Sequence, residues 1–343
     1  MREPHLFLLS GEYETLPKAE LEAVLSIFDP EPTLKLSSGR VVVYETSRQA
    51  AVQAVERTSY TKLTARLIGV SETLEDKIPS SIDYELLRIL LPPGCSIAVR
   101  GKRIEGVDIR KTWVEGRIGA EVLRRIPKLR VDLKTPEETI FFVAEPERTW
   151  IGLLRAVKPR RFFTDRTAGR RPFSLPSAMQ PDFARCMVNL ARVSIGGRIL
   201  DPFAGTGGIM IEAGLLGYRV YGVELKKWIA LGGLRNLKHY LPGCEHMVVG
   251  DSRSLMFRRC FNGVVTDPPY GRSTIVPESS LENLLEDFLS KVSEFLVDDA
   301  RIVMAVPSEY PIEETSASMG FKVLETHLAR VHGSLVRKVV VLA

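Results

Sequence analysis

Asp267-Pro268-Pro269-Tyr270 sets a carboxylate, two prolines and an aromatic ring in consecutive positions, directly after the apolar run Gly263 to Thr266. That run reads as a buried strand, so the four residues stand at a strand end. The group suits chemistry on the exocyclic amine of a nucleobase. The lone pair of such an amine is delocalised into the ring, which makes the nitrogen a poor nucleophile. Acceptors that hold its N–H groups favour the pyramidal, attacking form. Asp267 can supply a carboxylate and Pro268 a backbone carbonyl, and the paired prolines stiffen the loop that aims them. Tyr270 can supply a face for a base taken out of its stack. Acceptors in a desolvated site act most strongly where charge develops in the transition state. Alone, Asp-Pro-Pro would serve equally as a stiff turn.

A second stretch lies upstream. Arg198 to Met210 contains Asp201-Pro202-Phe203-Ala204-Gly205-Thr206-Gly207-Gly208 and reads as a short strand, a glycine turn and a helix. Glycines there let a ligand approach the backbone, and ligands of open parallel sheets lie beyond the carboxyl ends of the strands. A further apolar strand, Tyr218 to Val223, ends at Glu224. An acid about 20 positions after a glycine turn suits ribose hydroxyls. This much fits NAD as well as S-adenosylmethionine. The glycines do not form Gly-x-Gly-x-x-Gly, and no Gly-Lys-Ser/Thr follows, which excludes a P-loop. The amine-directed group at Asp267 decides for methyl transfer.

Together, Asp201-Pro-Phe-Ala-Gly-Thr-Gly and Asp267-Pro-Pro-Tyr resemble motifs I and IV of class I S-adenosylmethionine-dependent N-methyltransferases, in order and spacing. The resemblance implies an α/β, Rossmann-like domain with a seven-stranded mixed sheet. It also implies that Glu224 binds the ribose, and that Asp251 and Ser252 of Val249-Gly-Asp-Ser meet the adenine. Asp201, Pro202, Phe203, Ala204, Gly205 and Gly207 would complete the cofactor bed, with Asp267, Pro268, Pro269 and Tyr270 at the reacting amine. Arg170 to Leu190, just before the first strand, resembles the motif X region of the archaeal tRNA guanine-10 N2-methyltransferase family. That likeness extends over essentially the whole chain, loosely before about Ser80. It implies tRNA as partner and one or two methyl groups placed on N2 of guanine 10. Asp-Pro-Pro-Tyr also serves guanine N2 at other tRNA or rRNA positions, and DNA adenine or cytosine amines. An RNA-binding protein without catalysis is a further alternative, against which the intact Asp201, Glu224, Asp251 and Asp267 argue.

These motifs need a scaffold. The chain has 343 residues, enough for two or three domains, with 45% hydrophobic and 26% charged residues. Without a long apolar run or a signal-peptide core, no membrane span is expected and the location is expected to be cytoplasmic. Cys95, Cys186, Cys244 and Cys260 are widely spaced and the five histidines are scattered, so no metal is expected. A monomer suffices for this reading.

A net charge of +5 tilts towards a polyanion. Residues 1–68 read as an α+β, ferredoxin-like domain. Residues 69–156 resemble a THUMP RNA-binding domain, with Arg124, Arg125 and Lys128 at the end of a helix over Thr112 to Ile126. Residues 157–172 read as a linker in which Arg160, Arg161, Arg170 and Arg171 can track phosphates, while Phe162, Phe163 and Phe173 stack or pack. Residues 173–343 read as the methyltransferase domain. Within it, residues 272–280 read as a loop over the target base or as a surface connection.

Overall fold

The computed structural model describes residues 2–244, 246–269, 278–332 and 335–343. By internal contacts the chain divides into two units. The first is Met1–Gly11, Phe28–Glu56 and Thr61–Lys158; the second is Glu12–Ile27, Arg57–Tyr60 and Pro159–Ala343.

The first half of the chain runs β1 (Arg2–Leu9), α1 (Leu16–Phe28), β2 (Thr33–Ser38), β3 (Val41–Ser47), α2 (Arg48–Arg57) and β4 (Thr61–Glu72). A single turn α3 (Lys77–Ser80), then α4 (Tyr84–Leu90), β5 (Ser96–Arg103), α5 (Lys111–Arg125), β6 (Arg130–Val131), β7 (Glu138–Ala144) and β8 (Arg148–Val157) follow. Among the described residues, the eight strands form one sheet in the order β2-β3-β1-β4-β8-β7-β5-β6. The first four strands pair antiparallel in the order 2-3-1-4, which with the βαββαβ succession is the ferredoxin-like arrangement. The expected division between residues 68 and 69 falls inside β4, whose pairing with β8 runs from Leu63 to Glu72. One sheet therefore carries both N-terminal segments.

Helix α5 is amphipathic for a simple reason. Val114, Ile118 and Val122 recur at fourth positions and are fully buried, each contributing about 1.5–3 kcal/mol. Arg124 and Arg125 complement the negative end of the helix dipole, and both pair with Glu121, at 2.6 and 2.9 Å. Trp150 is fully buried and donates its indole N–H to Glu145 Oε2 at 3.0 Å.

The second half runs α6 (Pro181–Leu190), β9 (Arg198–Asp201), α7 (Gly208–Leu215), β10 (Arg219–Glu224), α8 (Lys227–Tyr240), β11 (Met247–Val249) and β12 (Phe261–Thr266). It ends with α9 (Glu278–Val292), β13 (Leu296–Pro307), α10 (Ile312–Ser318), β14 (Val323–His332) and β15 (Leu335–Leu342). The strands form a seven-stranded sheet, β11-β10-β9-β12-β13-β15-β14. It is parallel from β11 to β13, and β15 enters antiparallel between β13 and β14. This is the mixed sheet expected of a class I methyltransferase. Alternation along β12 buries Val265 with one core cluster and Val264 with the other.

Helix α1, which the sequence reading placed in the N-terminal domain, packs in the second unit. Leu16, Ala19 and Ala23 share a core with α6 and the methyltransferase sheet. Glu20 is fully buried and accepts from Ser59 N at 2.7 Å, Tyr60 N at 3.0 Å and Asn189 Nδ2 at 2.8 Å. A buried carboxylate with three donors is satisfied where it stands, and it fixes α1 and residues 57–60 to α6. Among the described residues, no helix is long and apolar enough to cross a membrane.

Candidate active site

The second unit holds a cavity of about 320 Å³ beyond the carboxyl ends of its parallel strands. β9 has β10 on one side and β12 on the other, so the chain order reverses there and leaves a crevice. Asp201, Glu224 and Asp267 end or follow these three neighbouring strands and all line the cavity. Ala204 N donates to Val223 O at 2.9 Å, and Gly205 and Gly207 take positive φ of 51° and 78°. The turn therefore needs glycine at both positions.

Glu224 is partly exposed at the cavity wall. Its Oε2 accepts from Gly205 N at 3.1 Å and its Oε1 from Lys226 N at 2.8 Å. Both oxygens are thereby oriented, with lone pairs left for a diol. Phe203, Leu225 and Ile229 add apolar walls. Asp251 N-caps a 3-10 turn and is held by Arg253 Nη2 at 2.7 Å, which keeps its carboxyl below the usual range. Ser252 is buried at the same wall. A glycine turn, an aimed carboxylate and an apolar slot fit S-adenosylmethionine.

Asp201 differs from the other acids. It is 2% exposed, and its Oδ1 accepts from Thr266 Oγ1 at 2.8 Å and Phe203 N at 3.2 Å. Burial first, then the neighbouring Asp267 and Glu224 charges, push its carboxyl up to about 7. The folded chain thus keeps a proton that the unfolded chain loses near pH 4, so stability falls as pH rises from about 4 to 7. Asp201→Asn should remove that penalty, on the order of 3–4 kcal/mol at pH 8. Urea unfolding at pH 5 and pH 8 would show the variant gaining on the wild type as pH rises; parallel pH dependence would mean that Asp201 is ionised in the fold.

Pro202, Ala204, Pro268 and Pro269 also line the cavity, so these expected site residues come together. Gly207 does not. It faces Leu237 and Met247 and serves the packing of α7. Tyr270, Gly271 and residues 272–277 of the 272–280 segment lie outside the described residues. Arg171, expected at the RNA, is 6% exposed and donates to Arg166 O and Met179 O at 3.0 and 2.9 Å. It is spent on carbonyls beneath Gly208 and presents no charge outside. Arg124, Arg125, Lys128, Arg160, Arg161 and Arg170 are exposed.

The expected linker is structured. Arg166 and Arg185 lie over the Phe162 and Phe163 rings at 5.1–5.6 Å and both donate to the fully buried Glu212, each at 2.7 Å. Asn236 donates to Thr206 O and Phe173 O, at 2.9 and 2.8 Å, tying the glycine turn to the chain before α6. Ser177, Ala178 and Met179 of that stretch line the cavity, as do Leu284, Arg253 and Arg337, none of which was expected as a site residue. Arg337 Nη2 lies 3.2 Å from Asp267 Oδ2. Its contribution is long-range, from a strand some 70 residues later, and no local pattern marks it. Among the described residues, no group of three His, Cys, Asp or Glu could hold a metal.

A family model described as an RMKL-like methyltransferase domain matches residues 168–339. The tRNA (guanine(10)-N2)-dimethyltransferase of Methanothermobacter thermautotrophicus is 34% identical over 334 residues, covering 97% of each chain. The protein of the same name from Pyrococcus abyssi is 38% identical over 215 residues, 61% of this chain and 63% of that one. Among solved structures, TrmN from Thermus thermophilus superposes over 99% of each chain with a TM-score of 0.54 at 20% identity. The putative methyltransferase SMU.472, crystallised with SAH, gives 0.55 at 11% identity over 99% of this chain and 98% of that one. At these identities the structures bear on fold.

Proposed function

The chain belongs to the tRNA (guanine(10)-N2)-dimethyltransferase family, and from that premise we propose that it methylates N2 of guanine at position 10 of tRNA, with S-adenosylmethionine as methyl donor. The observation that carries this reading is the convergence of Asp267 and Pro268 on one cavity with Asp201, the glycine turn and Glu224. When bound, S-adenosylmethionine supplies a methyl group on a cationic sulfur, which departs as a neutral thioether. Glu224 is assigned to the ribose, and the Asp251–Ser252 wall to the adenine. Asp267 and the Pro268 carbonyl take the amine N–H groups and turn its lone pair out of conjugation. The ordered geometry accounts for much of the rate. After the first transfer the cationic nitrogen gives up a proton to solvent and retains one N–H, which either Asp267 or the Pro268 carbonyl can hold for a second transfer.

The domain roles are part of the same proposal. The β5–β8 region acts as a THUMP-like RNA-binding segment beside the ferredoxin-like strands. Exposed Arg124, Arg125 and Lys128, with Arg160, Arg161 and Arg170, meet phosphates and account for tRNA retention by shape and charge. Target guanine leaves its stack to reach the cavity. Action on tRNA supports a cytoplasmic location.

Labelled methyl transfer to an unmodified tRNA transcript, followed by nucleoside analysis, tests the reading. N2-methylguanosine that disappears when position 10 is changed is the expected product. Label in another nucleoside would keep the reaction class and replace the substrate; cofactor binding without transfer to tRNA would end the enzymatic reading.

A further inference from the structure

Arg337 reaches Asp267 across the sheet. Its strand, β15, is separated from β12 by β13, yet Nη2 stands 3.2 Å from Asp267 Oδ2. The contact is largely sealed, with the two side chains 12% and 17% exposed. The backbone of Arg337 is held on both sides, opposite Pro307 of β13 and Ala329 of β14. Its guanidinium also lies 5.8 Å from the ring of Phe183, a buried residue of α6.

The charges around Asp267 explain what such a cation can do. Asp201 approaches from β9 and Glu224 from β10, both acidic. From the β11 side comes Asp251, whose charge is matched by Arg253, while Lys226 borders the start of α8. Leu284 of α9 and Phe183 of α6 bring no charge. Among these groups, Arg337 is the cation paired with Asp267. Without it, the Asp267 carboxylate, whose neighbours Asp201 and Glu224 bring no positive charge, gains protons more readily. A protonated carboxyl has a hydroxyl in place of one acceptor oxygen and no charge to match the amine as it turns cationic.

Building on the assignment of Asp267 to the target amine, we propose that Arg337 is a positioning residue of methyl transfer: it fixes the Asp267 carboxylate and holds it ionised, ready to accept the amine N–H. Arg337 acts through Asp267 and does not itself take part in the transfer.

The test compares full-length wild type, Arg337→Gln and Arg337→Lys on an unmodified tRNA transcript, with kcat and KM followed from pH 5.5 to 9. Arg337→Gln should lower kcat on the order of 10²-fold while KM for tRNA stays close to wild type. The acid limb of kcat should move up when the Arg337 cation is taken from beside Asp267. Arg337→Lys keeps the charge with poorer geometry, so it should keep the wild-type limb at reduced kcat. A merely structural arginine would lower thermal stability and change KM without moving the limb, and that result would overturn the proposal. If Arg337→Gln fails to fold, Arg337→Lys decides: wild-type kcat overturns the positioning role. A wild type that makes no N2-methylguanosine removes the amine assignment before any variant is compared. A wild type that makes it, with variants matching its kcat and pH profile, removes the positioning role alone.

Discussion

Asp267→Ala is expected to lower kcat by about 10²–10³-fold while tRNA binding stays close to wild type. The carboxylate stands at the mouth of β12 and borders the cavity without belonging to the glycine turn. Removing it takes away an acceptor that is worth most when the amine nitrogen becomes cationic, so the loss belongs in kcat. Cofactor affinity should change little, since Glu224 and the Gly205 turn are bonded to each other and not to Asp267. Alanine also takes the Asp267 carboxylate away from Arg337. The double variant Asp267→Ala/Arg337→Gln separates the two effects: what it recovers over Asp267→Ala is the cost of leaving Arg337 without that carboxylate. Single-turnover methyl transfer, with filter binding of tRNA and calorimetry of S-adenosylmethionine, measures all three quantities. Near-normal turnover of Asp267→Ala would remove the carboxylate from the mechanism.

The largest stability effect is expected at Glu212. This fully buried carboxylate on α7 receives Arg166 and Arg185, whose side chains are 16% and 5% exposed. Glu212→Ala leaves two cations in a poorly solvated place and should cost about 3–5 kcal/mol. Replacing all three residues with apolar ones of similar volume should cost far less, because the desolvation of three charges is removed along with their attraction. Trp228 on α8, in edge contact with Phe173, reports unfolding of this unit once Trp113 and Trp150 of the first unit are changed to phenylalanine. A protein with two units need not unfold in one step, so the reporter must lie in the unit that is perturbed. Equal losses for Glu212→Ala and the apolar triple variant would contradict the charge argument and point to packing.

How legible these features were in the sequence follows from how local their causes are. The glycine turn, Glu224 and Asp267-Pro-Pro are each short runs at strand ends, and a strand end is visible where an apolar run meets turn residues. β15 and β14 were visible for the same reason. β2 was not: Leu34 and Leu36 alternate with Thr33, Lys35 and Ser37, but the run is short and nearly all of it is exposed, so little apolar sequence marks it. The linker arginines looked alike as letters. Arg171 turned out buried and Arg170 exposed, because their neighbours in space, Met179 O and Asp165, are set by tertiary folding. Helix α1 read correctly as a helix, but its partners Asn189 and the core beneath α6 lie some 170 residues away. Arg337 illustrates the same limit: an ordinary strand residue until the sheet order brings it to Asp267.

The membership of α1 in the second unit has a consequence for synthesis. Leu16, Ala19 and Ala23 leave the ribosome long before α6, β9 and α7, the elements whose side chains complete their core. At 5–20 residues per second the interval is on the order of ten seconds. Through that time an apolar helix face waits without its proper cover, while the strands on either side of it can already pair. For the same reason a fragment beginning at Pro159 would be missing a wall of its own interior. The catalytic half of this chain is contiguous as a motif map and discontinuous as a folding unit, and its first piece is translated first and finished last.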